Sequence, residues 1–353
     1  MKLVDGLKSL FFLILAQIIT FRQSKRGVVI GTNYGGLPDS NALALIECIN
    51  SSEYAERVVF ISNDISVSGK AEFEKRGGLS SAIAFLNCEA AFYTHSLSDL
   101  IPGAHKLPFL RYFIKLPTLI FIQHGMIGLK SVLGNNVSMS TYLNTIKMSF
   151  DKMCVSSEQE FDAVVRLGVE PDKLALTGLP RFDYYLPKKD TNKCILVAFT
   201  WQEKSVLQTK VEEIKSVPRI NQLIGQGLDF VVTNHPMNAA SEGINDSKDI
   251  TKFVSRCALL ITDESSIAWD VIYNGGEVLF YKPLTPWLFD DAGLQARRSE
   301  NIEQLNELVA SYMEETLPKI ASKFFKHKDQ LNSKRTLELG LLKSGFKVTA
   351  SVK

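Results

Sequence analysis

The sequence predicts an α/β fold built on parallel sheets, and three observations carry that prediction. From Gly27 onward, short β-branched runs alternate with helical patterns. The runs are continuously apolar rather than alternating, as expected of strands covered on both faces. Hydrophobic residues make up 45% of the 353 and charged residues 22%, which excludes a disordered or fibrous chain. Strands are expected at Val28–Thr32, Val58–Ser62, Ala91–Thr94, Leu119–Gln123, Met153–Ser156, Leu174–Thr177, Ile195–Thr200, Phe230–Asn234, Leu259–Thr262 and Val278–Tyr281. Between them, Ser40–Glu53 opens after Asp39, a good N-cap residue. Ser157–Leu167 begins Ser-Ser-Glu-Gln and stops at Gly168, a C′ glycine. Glu264–Tyr273 ends at Asn274-Gly275-Gly276. Alternation of this kind makes βαβ units and doubly wound sheets.

A length of 353 residues suggests two domains at roughly 150 residues each. The polar, proline-bearing stretch Leu186–Asn192 is the weakest covering between strands and marks the expected boundary. Two Rossmann-like halves, 27–187 and 188–353, would then face each other across a cleft, with 1–26 as a separate segment. Glu303–Leu342 is helical in pattern and is expected to close the second half with a basic C-terminal helix.

The net charge of +2 conceals +4 over residues 1–26 and +7 over 316–353, which leaves −9 for the body. A nucleic-acid binder carries its basic stripe across the folded body, so nucleic acid is not expected as a partner. The apolar run Leu10–Phe21 lies between Lys8 and Arg22. It is too short to span a bilayer and no small-x-small cleavage site follows it. A helix lying on an anionic membrane surface fits it better. Cys48, Cys88, Cys154, Cys194 and Cys257 are odd in number, scattered, and without a CxxC pair. That argues against a disulfide framework or a zinc site and for a reducing compartment. The expected location is the cytoplasmic face of the cell membrane.

In open parallel sheets ligands bind beyond the carboxyl ends of the strands, so functional side chains are expected at those ends. His124 ends the apolar run Leu119–Gln123, and Gly125 after it is expected to let the chain turn sharply. An imidazole there suits a general base. His235 and Pro236 follow the run Phe230–Asn234 as a rigid loop. Asp263 follows Leu259–Thr262 and is expected to N-cap a helix whose first turn offers backbone N–H groups, Ser265 and Ser266 to a phosphate. Thr200 and Trp201 follow the first strand of the second half. Less is expected elsewhere. Gly31–Gly36 lacks the GxGxxG spacing of a dinucleotide site. His95 and His105 read as structural or solvated, His327 as added charge, and Asp290-Asp291 has no strand-end context for a metal.

Taken together, these stretches resemble the CDP-glycerol glycerophosphotransferase family, the teichoic-acid primases and polymerases. The matching segments are Gln123–Lys130 (QHGMIGLK), Thr177–Asp183 (TGLPRFD), Ile195–Trp201, Asn234–Pro236 and Ile261–Ile267 through Tyr281, in an order and spacing that agree over about 30–350. Two departures are visible. Phe199-Thr-Trp-Gln202 stands where the family often has Pro-Thr-Trp-Arg, and Glu264 stands where it usually has a neutral residue.

The resemblance implies a GT-B fold and metal-independent transfer of a polyol phosphate from a CDP-linked donor to a hydroxyl of a lipid-linked or glycan acceptor, with CMP released. No cofactor is implied. His124 would take the acceptor's proton. His235 would neutralise charge on the pyrophosphate, with Asp263, Ser265, Ser266 and Pro236 around it. Thr200 and Trp201 would line the nucleotide pocket, and Arg181 would contact phosphate. Two other functions fit the same residues: a glycosyltransferase using a CMP- or other nucleotide-activated sugar, and a non-catalytic scaffold.

Overall fold

The computed structural model describes residues 2–52, 57–64, 71–104, 110–133, 137–185, 193–200, 202–233, 250–320 and 322–341. Two parallel sheets organise them. The first contains β1 (Val28–Gly31), β2 (Val58–Ser62), β3 (Glu72–Lys75), β4 (Ala90–Tyr93), β5 (Thr118–Phe121), β6 (Lys152–Val155) and β7 (Leu174–Leu176), in the order β3-β2-β1-β4-β5-β6-β7. The second contains β8 (Cys194–Ala198), β9 (Asp229–Thr233), β10 (Cys257–Thr262), β11 (Glu277–Tyr281) and β12 (Arg298–Ser299), in the order β12-β11-β10-β8-β9. These are two Rossmann-like sheets, as the alternation predicts. Every anticipated strand is present to within a few residues. The unanticipated β3 reads Glu-Phe-Glu-Lys on an open edge, and β12 has two residues.

The helices are α1 (Lys2–Thr20), α2 (Ser40–Asn50), α3 (Leu79–Asn87), α4 (Leu110–Phe113), α5 (Met139–Ile146) and α6 (Glu158–Arg166), then α7 (Lys204–Lys215), α8 (Pro218–Gly225), α9 (Ile250–Arg256), α10 (Ile267–Tyr273), α11 (Ala292–Gln295), α12 (Ile302–Met313) and α13 (Asn332–Leu341). The predicted starts of α2 and α6 hold: the Asp39 carboxylate accepts the Ala42 N–H at 2.9 Å, and the Ser157 hydroxyl accepts that of Glu160 at 3.0 Å.

The chain divides into two compact units. One comprises Met1–Met126, Ser138–Asp183 and Lys326–Lys353; the other comprises Ile127–Val137 and Tyr184–Phe325. This differs from a single division at 187/188 in two places. The C-terminal helix belongs with the first unit, not the second. Leu337 and Leu341 of α13 are buried with Val28, Ile30, Phe60, Phe92 and Ile120 of the sheet and Leu45 and Ile49 of α2. The start of α13 is held by Asp183, whose carboxylate accepts the N–H groups of Asn332 and Ser333 at 3.0 and 2.7 Å. Gly340 is required there, because a Cβ would come within 2.5 Å of Ala90. The second difference is the excursion Ile127–Val137. The Gly128 carbonyl accepts the N–H groups of Leu288 and Phe289, and a Cβ at Gly128 would lie 2.4 Å from the Phe289 ring. The linker stretch Leu186–Asn192 lies outside the described residues. In the second unit the core gathers Ile195, Val197, Leu259, Ile261 and Leu279 with Leu207, Val211 and Ile214 of α7 and Leu305 and Val309 of α12.

The apolar segment near the N-terminus forms α1 and packs on α3 of the first unit. Leu13 and Ala16 are buried, while Leu7, Phe11, Ile18 and Phe21 remain exposed, Phe21 by 80%. Gln17 ties the helix to the turn after α4 by donating to the Phe113 carbonyl and accepting the Lys115 N–H. Among the described residues no helix is long and apolar enough to cross a membrane.

Candidate active site

Each sheet has a point where its strand order reverses, the place where open α/β sheets form ligand crevices. In the first sheet this point lies between β1 and β4, with β5 next to β4. His124 stands just beyond β5 and is exposed. The turn that presents it is made differently from the expectation: the left-handed residue is Gln123, with φ 72°, and not Gly125. A non-glycine residue there needs support from its neighbours. Gln123 has it. Its side-chain amide donates to the Cys154 carbonyl at 2.5 Å and to Glu160 Oε1 at 3.2 Å, and its own carbonyl accepts from Asn41 Nδ2 at 3.1 Å. Glu160, fully buried, also accepts the Ser156 N–H at 2.6 Å.

Arg181 completes that brace. Its backbone N–H donates to Asn41 Oδ1 at 3.0 Å and its Nη1 to the His124 carbonyl at 2.8 Å. Arg181, expected to contact the donor phosphate, is 9% exposed, and its Nη1 holds the backbone of His124.

Three further groups at this point were not anticipated. His95, just beyond β4, stacks on His124 with ring centroids 4.5 Å apart and planes 12° from parallel. Tyr34, beyond β1, lies with its ring 5.7 Å from that of His95 and has a left-handed backbone, φ 55°. Asp99 is fully buried beneath them and accepts the N–H groups of Tyr34, Thr94 and His95 at 2.9, 3.0 and 2.8 Å. Burial lifts the Asp39 carboxyl above its usual range, while its bond to Ala42 and the charges of His95 and Arg181 pull it back. No fingerprint announces this cluster, since its members lie on separate loops; the one signal was a histidine following an apolar strand run.

In the second sheet the order reverses between β8 and β10. Here the two strand ends are joined. The Asp263 carboxylate, 1% exposed, accepts the Thr200 N–H at 3.0 Å, the Thr200 hydroxyl at 2.6 Å and the Glu264 N–H at 2.7 Å. It therefore does not cap α10, contrary to the expectation. The cap position is Ser266, whose side chain makes no bond to the helix, and α10 starts at Ile267, not at Glu264. Glu264 is buried and accepts the N–H and hydroxyl of Thr285, both at 2.9 Å, so the acidic departure at this position serves a loop. Ser265 and Ser266 are half-buried beside it.

Two lysines supply positive charge to this end. Lys130, from the Ile127–Val137 excursion, lies near Asp263 and Glu264; burial pulls its ammonium below the usual lysine range and the two carboxylates oppose that pull. Lys210 sits on the buried face of α7 with Leu207, Val211 and Ile214. Its ammonium lies 4.8 Å from the Phe199 ring centroid, and burial lowers it too, against the nearby Asp263 charge. A lysine in a helix's apolar stripe was the sequence signal for it. Trp201, His235 and Pro236 lie outside the described residues.

No family model matches the sequence, and no curated protein matches it. Solved structures do. The wall teichoic acid polymerase TagF aligns at a TM-score of 0.60 and 14% identity, covering 97% of this chain and 96% of its own. A putative UDP-N-acetylglucosamine 2-epimerase from Listeria monocytogenes aligns at 0.55 and 14%, covering 91% and 96%. The S. aureus MnaA–UDP structure gives 0.57 and 14%, covering 90% and 96%. At these identities the likeness is one of fold, and that fold is GT-B.

Proposed function

We propose that the chain is an enzyme of surface-polymer synthesis that transfers a polyol phosphate, glycerol phosphate foremost, from a CDP-linked donor to a hydroxyl of a lipid-linked or glycan acceptor. The observation that carries the reading is His124: an exposed imidazole beyond β5, held by a buried frame of Gln123, Asn41, Glu160 and Arg181. A frame of that kind suits a residue whose position matters more than its packing. His124 takes the acceptor's proton, the freed oxygen forms a bond to the donor's outer phosphorus, and that phosphorus–oxygen bond to CMP breaks. Lys130 and Lys210 provide the cationic environment that the absence of an arginine at position 202 takes away, with His235, Pro236, Ser265, Ser266, Thr200 and Trp201 as further donor contacts. No metal is needed in this scheme.

The likeness to TagF, one of whose structures followed a CDPG soak, supports the donor class. The likeness to a UDP-bound structure supports a second reading, transfer from a nucleotide-activated sugar. Incubation with CDP-glycerol and a lipid-linked acceptor, followed by CMP detection, tests the first. Release of CMP that vanishes in His124→Ala supports it; tight binding of UDP with no binding of CDP in calorimetry overturns it.

The exposed face of α1 supports docking on an anionic bilayer at the cytoplasmic side, with Lys8 and Arg22 exposed alongside Phe11, Ile18 and Phe21. Because α1 covers α3, deletion of the helix would test folding as well as docking. Phe11→Glu with Ile18→Glu leaves Leu13 and Ala16 in place and should reduce binding to phosphatidylglycerol vesicles; unchanged sedimentation with vesicles would retire this partner.

A further inference from the structure

His95 is built into the first switch point more firmly than a solvated histidine requires. Its carbonyl accepts the Tyr142 hydroxyl at 2.7 Å and its N–H is held by Asp99. Nδ1 lies 3.0 Å from Thr94 Oγ1, and Thr94 reaches on to Asp99 at 3.5 Å. One flank of the ring is set by Tyr34, and the His124 ring lies nearly parallel to it at 4.5 Å. These contacts fix both the height and the tilt of an aromatic surface on which His124 rests.

We propose that His95 is a positioning residue of the transfer reaction and that it forms with His124 one coupled pair for protons. The inference rests on the reading of His124 as the general base. Like charges on rings this close repel, so the pair takes up its first proton at a higher pH than its second, and the two values belong to the pair. Among the described residues, charged and titratable groups facing the pair include Asp99, Asp39, Tyr34 and Tyr142, with Arg181 beside Asp39 and on the His124 carbonyl. Asp99 Oδ2 lies 3.9 Å from His95 Nδ1, and a pair holding a single proton keeps a neutral ring to accept the substrate's. Stacking limits rotation of His124, and one proton on the pair does not abolish its basicity.

The test compares wild type with His95→Phe, which keeps an aromatic face but does not titrate. Histidine-ring NMR across pH 4.5–9 should show linked steps in wild type and a single His124 step in His95→Phe. The acid limb of kcat/KM should move up by about half a pH unit or more, since the second-proton penalty is gone. The turnover kcat should fall about tenfold with donor KM changed less than twofold. Should His95→Phe fold poorly, His124→Gln reads the same coupling from the titration of His95. An unchanged His124 titration in His95→Phe, or an unchanged His95 titration in His124→Gln, overturns the proposal. Coupled titration in a wild-type chain that releases no CMP upholds the pair and overturns the general-base reading instead.

Discussion

The two switch points share a topology and differ in what they do with it. Between β1, β4 and β5 the buried groups (Asp99, Glu160, Gln123, Asn41) all bind backbone, and an imidazole is left exposed. Between β8 and β10 a carboxylate itself closes the gap, Asp263 onto Thr200, while Glu264 beside it ties down the loop after β11 through Thr285. One end is framed and open; the other is bridged. A conspicuous residue at a strand end can thus be either the reactive group or the brace beneath it, and only its partners tell which.

The contrast can be broken by substitution. The largest effect is expected for His124→Ala: kcat should fall by about 10² to 10⁴, the usual range for a general base, while urea unfolding stays within about 0.5 kcal/mol of wild type, as for other exposed sites. A matched loss of stability would make the two ends alike. Asp263→Ala should do the opposite, lowering unfolding free energy by about 2–4 kcal/mol, because the hydroxyl and two N–H groups it satisfies are left buried. Arg181→Met sharpens the point within the first unit. If the guanidinium acts on His124, kcat should fall roughly tenfold with little change in donor KM; a rise in KM alone would restore the phosphate contact. The smallest effect belongs to Asp39→Asn. Asparagine caps as well as aspartate, so α2 should be unharmed. The raised Asp39 carboxyl means that its stabilising protonated form is lost as pH rises from about 4, so wild-type stability should decline over that rise and the variant should lack this component. Parallel urea curves for the two proteins from pH 4 to 7 would contradict it.

The fold was readable because strands covered on both faces write continuous apolar runs, and Val28–Gly31 through Glu277–Tyr281 do so. Edge strands do not: β3 exposes Glu72 and Lys75 around a half-buried Phe73 and Glu74, and nothing marked it. At the sites, chain position located His124 and Asp263, but not their roles. Those depend on residues distant in sequence, such as Arg181 reaching His124 across 57 positions. His95 was passed over because stacking leaves no trace in spacing. The C-terminal helix was misplaced because its leucines and Gly340 suit any apolar sheet face, and the selecting contact, Asp183 at the start of α13, is a single residue.

The chain's route has a consequence for biogenesis. The first sheet is synthesised by residue 176, yet one wall of its core arrives only with Leu337 and Leu341. Until residues 337–341 have been synthesised, Phe92 and Ile120 lack that covering, so the nascent first unit should stay protease-sensitive and a chaperone client. Chains ending at 325 and chains that include α13 would differ sharply in limited proteolysis, and equal resistance would show that the early part matures alone.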